Sequence, residues 1–170
     1  MLLSHRADWA IVSEVEQNDD VLFKPLFSYE MVGICSKDHP LANKEVWQAE
    51  DFAEETWVTY PVPDDMLDLY RQVLKPKGIN PPRRTTELTI ALIQLVASRR
   101  GIATVPYWAA LPYLEKGYVV ARKITEEGLY SNLYAAIRKE DANLAYIEDF
   151  HQTVKAQSFS TLPGLSVLEL

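Results

Sequence analysis

Residues 85–106, TTELTIALIQLVASRRGIATVP, limit the fold more than any other stretch of this chain. Leu88, Leu92 and Leu95, with Ile90, Ile93, Val96 and Ala97, would cover most of a helix circumference. A helix apolar nearly all round belongs in a protein core, and this one is far shorter than the ~20 residues a bilayer requires. Arg99 and Arg100 form a cationic last turn, and Gly101 is expected to end the helix as a left-handed C′ residue. Residues 102–105 then run apolar, as in a strand buried on both faces, until Pro106 stops them. In front of the helix stand Thr85, Thr86, Glu87 and Thr89. Hydroxyls at a helix N-terminus are a natural place to hold an anion.

The rest of the chain must supply partners for that core element. Apolar or alternating runs bounded by turn residues predict strands at 9–13, 26–36, 56–60, 83–86, 118–124 and 129–138. The first of these looks like a buried parallel strand. Residues 15–24 are polar and read as a loop. Short helices are expected at 50–54 and 108–115. Another is expected at 66–75, with Asp64 and Asp65 as N-caps and an acidic start and basic end that suit the helix dipole. A longer helix at 146–159 would bury Ile147, Phe150 and Val154. Residues 1–3 look like the last turn of a helix, and no internal repeat is visible. Strands alternating with helices predict an α/β fold with mainly parallel pairing.

Composition narrows the function. At 170 residues, 48% apolar and 24% charged, the chain can bury one sizeable core or two small lobes. Seventeen basic against 24 acidic residues give a net charge of −7. A chain this acidic, with no basic stripe, is not expected to neutralise nucleic-acid phosphates itself. Cys35 is the only cysteine, so no intrachain disulfide forms and a reducing compartment, the cytoplasm, is expected. The first residues do not read as a secretory signal, and no membrane association is expected.

Catalytic chemistry finds no candidate. His5, His39 and His151 lie far apart without a second ligand at metal-binding spacing, so no metal site is expected. Neither GxGxxG, GxxxxGK[ST] nor GxSxG occurs, and Cys35 lies in an apolar run where a buried, inert thiol is the plain reading. Asp38-His39 precedes Pro40 and reads as a turn rather than an acid–base pair. No cofactor is expected. The strand ends are more informative, because ligands of open α/β sheets lie beyond the carboxyl ends of the strands. Those ends carry Ser13 and Glu14, then Thr59 and Tyr60 with Pro61 after them, then Thr86 and Glu87 with Thr89 after them, then Pro106 and Tyr107; all but Thr59 are taken as effector contacts. Helix capping and turn formation account for each taken singly. Together they would suit a small zwitterion, with donors for a carboxylate, an acid for an ammonium and aromatic walls for a short side chain.

Several of these segments resemble the effector domain of LysR-type transcriptional regulators. Residues 2–12 (LLSHRADWAIV) are similar to a strand of that domain, and 25–42 (PLFSYEMVGICSKDHPLA) to its crossover strand and DHPLA turn. Residues 94–106 (QLVASRRGIATVP) are similar to its helix–glycine–strand element. Tyr60-Pro61-Val62, Leu67-Asp68, Leu92-Ile93-Gln94, residues 106–108, Glu127-Gly128-Leu129 and residues 133–136 resemble the branch that regulates methionine biosynthesis. The resemblance implies two Rossmann-like lobes of the periplasmic-binding-protein type II kind, joined by two crossovers, with the effector between them. The first lobe would take 1–26 and 133–160, the second 27–132, and 161–170 would be a tail. The first lobe would lack its opening strand–helix–strand, and the winged helix-turn-helix would lie outside this chain.

For that branch the implied effector is homocysteine, and the implied assembly is a homodimer or tetramer that reaches DNA only through the N-terminal domain. Thr86 and Thr89 would then hold the carboxylate, and Glu87 or Glu14 the ammonium. Tyr60, Pro106 and Tyr107 would wall the side chain, and the helix at 66–75 would offer a dimer surface. The alternative on the same fold is a periplasmic-type solute-binding protein for a small amino acid, which requires an export signal. An enzyme on this fold would need a nucleophile, cofactor lysine or metal cluster.

Overall fold

Apolar runs and the turn residues between them set the order of elements in the computed structural model, which describes residues 1–15 and 18–168. Among these, the strands are β1 (Trp9–Val12), β2 (Val21–Cys35), β3 (Val46–Trp47), β4 (Trp57–Thr59), β5 (Arg83–Thr85), β6 (Ile102–Pro106), β7 (Val120–Ile124), β8 (Leu129–Arg138) and β9 (Leu165–Ser166). The α-helices are α1 (Thr89–Ala97), α2 (Tyr107–Glu115) and α3 (Ala145–Thr161). The chain divides into two compact units, one of Met1–Tyr29 with Ser131–Leu170, the other Glu30–Tyr130. Strands β2 and β8 run from one into the other.

In the second unit β2 lies between β7 and β6, both antiparallel to it, and β3 joins β7 in parallel. Beyond β6 come β4 and β5, each parallel to its neighbour, with Trp57 opposite Ile102 and Thr59 opposite Thr85. Period-2 alternation sends successive residues to opposite faces. Trp57, Ile102 and Cys35 join Trp47, Phe52, Leu69, Leu74 and Ile124 in one core layer. Val58, Ala103, Val105, Val32 and Ile34 join Leu92, Ile93, Val96 and Ala110 of α1 and α2 in the other. Burial on both faces of β6 agrees with the reading of residues 102–105.

The first unit orders β1-β8-β2, with β9 added to β2 at Ser28 and Tyr29. β1 pairs antiparallel with β8, and Ile11 is 54% exposed, so the expected buried parallel strand is instead a partly exposed antiparallel one. The sheet pairing is mixed, not mainly parallel, because β2 and β8 pass between the units and pair antiparallel with their neighbours. Arg138 is the polar centre of this unit. It is 5% exposed and donates to the carbonyls of Leu2 at 3.0 Å and Ala7 at 2.6 Å, and to the carboxylates of Asp8 at 2.6 Å and Asp141 at 2.5 Å.

Several expectations need correction. Residues 21–24, placed in a loop, begin β2, which continues through Pro25; positions 16 and 17 of that loop lie outside the described residues, as do 169 and 170 of the tail. The helix at 66–75 is not a regular α-helix. Asp64 and Asp65 sit inside a 3-10 turn capped by Pro63, followed by a π-turn at Tyr70–Leu74 in which Lys75 N–H reaches the Tyr70 carbonyl, then a second 3-10 turn. Pro76 lacks an N–H and its ring crowds the carbonyl four residues back, which favours the wider turn. On α3 the buried positions are Ile147 and His151, while Phe150 is half exposed. Leu88, just before α1, and Ile90 in its first turn are likewise exposed, so only Leu92, Ile93 and Val96 of this helix are buried.

Gly101 plays a different part from the one expected. The left-handed residue that ends α1 is Arg99, at φ 62°. Arg99 N–H donates to Val96 and Arg100 N–H to Leu95, the bond pair of a Schellman turn. Residues 1–6 repeat the pattern, with His5 at φ 52°, His5 N–H to Leu2 and Arg6 N–H to Met1. Each turn is followed by a strand, and Ser4 and Ser98 each hydrogen-bond a carbonyl of the preceding turn. Gly101 itself has φ 148°, and a Cβ there would lie 2.2 Å from the Thr56 carbonyl oxygen. We expect Gly101→Ala to cost about 3 kcal/mol or more in urea unfolding. Gly78→Ala, at φ 68° with open space around it, should cost about 1 kcal/mol.

Candidate functional site at the strand ends of the second unit

Parallel pairing of β5, β4 and β6 brings their carboxyl ends to one edge. Tyr60 and Pro61 follow β4, Thr86 to Thr89 follow β5, and Pro106 and Tyr107 close β6 and open α2. The β5–β4 ladder extends one step further, with Thr86 N–H donating to Thr59 at 3.0 Å. Seven of the nine residues expected from the sequence therefore share this edge. The other two, Ser13 and Glu14, follow β1 in the first unit and are exposed there.

Hydroxyl chemistry at the edge is local and specific. The Tyr60 hydroxyl lies 2.8 Å from Thr89 Oγ1, joining the end of β4 to the start of α1. Thr86 Oγ1 accepts from Leu88 N–H at 3.5 Å. The N-cap of α1 is Leu88, extended and without a side-chain acceptor, and the N-cap of α2 is Pro106. No capping side chain takes up the first-turn N–H groups of either helix, so both helices present the positive ends of their dipoles where a strand ends. Sequence reading had pointed to α1 alone. The Pro106-Tyr107 step was the available signal for α2, since proline is favoured at the start of a helix. Glu87 is exposed, Tyr60, Thr86, Thr89, Pro106 and Tyr107 are half-buried, and Val62, Leu88 and Ile90 add exposed apolar surface. Such an edge can hold a small anion and a short apolar group.

Elsewhere the polar residues singled out by sequence have structural partners. His39 Nδ1 accepts from Leu41 N–H at 3.2 Å, so its Nε2 carries the hydrogen and faces Glu55 at 3.3 Å. Asp38 pairs with Arg99, tying the turn after β2 to the end of α1. The Asp38-His39 pair is thus a capped turn. Among the described residues no group of three His, Cys, Asp or Glu side chains converges as a metal site would need. Among the described residues no helix is long and apolar enough to cross a membrane.

With this geometry in view, the family model of the LysR substrate binding domain matches residues 1–158. The chain belongs to the LysR substrate-binding domain family. Its mixed α/β fold is of the type II periplasmic-binding-protein kind. This LysR domain is 84% identical over 170 residues to the HTH-type transcriptional regulator MetR of Haemophilus influenzae, covering all of this chain and 55% of that protein. It is 35% identical over 162 residues to MetR of Escherichia coli K12, covering 95% of this chain and 51% of that one. The solved regulatory domain of MetR, a LysR family regulator from N. meningitidis, superposes with a TM-score of 0.92 at 65% identity, over 99% of this chain and 78% of that one. The LysR domain described here spans about half the length of the curated relatives it matches.

Cys35 is fully buried in β2, and burial pushes its thiol up to about 11, against the pull of Arg122 and with a push from Glu55. At pH 8 only about one molecule in a thousand would carry the thiolate. A thiol reagent such as Ellman's reagent should therefore leave the folded LysR domain unlabelled, and label one thiol per chain after denaturation.

Proposed function

We propose that this chain is the effector-sensing domain of a LysR-type regulator of methionine biosynthesis, and that homocysteine is its effector. In this reading the two compact units are the two lobes of the sensor. Thr86 and Thr89 hold the effector carboxylate with the N–H groups of α1, where hydroxyl donors and the helix dipole act on the same charge. Glu87 pairs with the ammonium, and Tyr60, Pro61, Pro106 and Tyr107 enclose the short thiol side chain. The observation that carries the reading is the gathering of Tyr60, Thr86, Thr89 and Tyr107 at one edge beside two uncapped helix N-termini. The similarity to MetR proteins supports the choice of amino acid.

The assembly proposed is a cytoplasmic homodimer or tetramer that reaches DNA through a separate N-terminal domain, with the segment 64–77 as a dimer surface. The domain is a sensor, not an enzyme. An effector switches such a protein only by binding one arrangement better than another. Calorimetry on the full-length protein with homocysteine, methionine and cysteine should rank homocysteine first, and absence of heat with all three would remove the effector assignment. Thr86→Ala should weaken homocysteine roughly tenfold or more, the range for a hydrogen bond to a charged group. Unchanged affinity in that variant would move the carboxylate elsewhere and leave the family membership untouched.

A further inference from the structure

Helix α3 is fastened to the sheet of the first unit by two kinds of contact. Phe150 meets Trp9 of β1 edge-on at 5.2 Å, and Phe159 meets Phe27 of β2 at 6.2 Å. Lys24 of β2 donates to Glu148 at 2.5 Å, and Gln152 donates to the other oxygen of that carboxylate at 2.8 Å. On the same helix His151 is 4% exposed, and its Nδ1 is buried with no hydrogen-bond partner among the described residues. A buried imidazole with one bare nitrogen is costly for a helix whose sequence could have placed a leucine there.

We propose that His151 is a proton-operated latch: α3 docks on β1-β8-β2 while the imidazole is neutral, and acid loosens the helix. The neutral ring with its hydrogen on Nε2 leaves a lone pair at Nδ1, which burial tolerates at modest cost. Protonation puts an N–H at Nδ1 with no acceptor, and a positive charge with it. The charges facing that position are unfavourable overall. Lys24 from β2 and Lys155 from α3 repel a cation, while Glu148, the carboxylate that would attract it, is already shared by Lys24 and Gln152. β1 carries no charged residue, and the one charged residue of β8, Arg138, is held by Asp8 and Asp141.

The sign of the effect follows from linkage. Burial first, and the Lys24 ammonium second, hold the proton affinity of His151 below that of an ordinary imidazole. The unfolded or undocked ring therefore takes up a proton before the docked one does. Docking is strongest above about pH 6.5, and it weakens as pH falls from that value through the lower value of the docked ring.

Hydrogen–deuterium exchange on the 170-residue chain at pH 7.5 and 5.5, corrected for the intrinsic effect of pH on exchange, tests this directly. The opening of α3 amides should increase severalfold on acidification. The amides of β4 and β6 should not follow. His151→Leu should abolish the pH dependence of α3. Equal loosening in the variant and the wild type would overturn the proposal. Should the variant fail to fold, proton NMR of the wild-type ring gives the answer. A His151 midpoint below about 6.5 that coincides with the loosening of α3 supports the latch, and a midpoint at or above that value overturns it.

Discussion

The close approach of Gly101 to the Thr56 carbonyl is the contact on which the second unit's geometry depends. Ile102 N–H donates to that same carbonyl at 2.9 Å, and a side chain at position 101 would collide with it. Through this bond β6 enters the sheet in parallel with β4, in the register that pairs Trp57 with Ile102 and Val58 with Ala103. Register then decides which residues emerge together at the far end. A one-residue slip would send Ala103 and Val105 to the wrong core layer and shift Pro106 and Tyr107 relative to Tyr60. The candidate site is therefore a consequence of backbone packing at the opposite end of the strands.

That packing dictates how α1 must end. With Gly101 committed to the close approach, the left-handed position falls on Arg99, where a Cβ raises the energy by ~1–2 kcal/mol. Two Schellman hydrogen bonds and the ion pair with Asp38 offset the strain. The pair also explains the DHPLA turn, whose Asp holds α1 and whose His caps its own 3-10 turn. Trp47 constrains β2 similarly, since its ring lies where a Cβ on Gly33 would be, at 2.4 Å. Gly33 and Gly101 both make room for a neighbouring group rather than for a turn.

What could be read in advance divides along physical lines. The core turns of α1 and strand β6 were legible, because burial leaves a dense apolar run that few other structures tolerate. The segment at 64–77 was not, because its capping aspartates and its charge pattern fit a regular helix while Pro76 and packing of Leu69, Val73 and Leu74 chose 3-10 and π turns. The early start of β2 was hidden by Pro25, which lacks a ladder donor, and was decided by partners more than a hundred residues away. On α3 the hydrophobic periodicity favoured Phe150, yet the helix turned His151 inward and left Phe150 half exposed against Trp9.

The candidate site shows the same division. Sequence by itself determined the chemical content of the strand ends, because hydroxyls, aromatic residues and prolines after apolar runs are local signals. It also determined the acidic charge, the single buried cysteine and the family, because these depend on residue identity alone. Only the tertiary structure decided that β5, β4 and β6 lie side by side, that the Tyr60 hydroxyl meets Thr89, and that α2 starts beside α1 at the same edge. Those are consequences of strand order, and strand order is set by contacts between residues far apart in the chain, which no local pattern encodes.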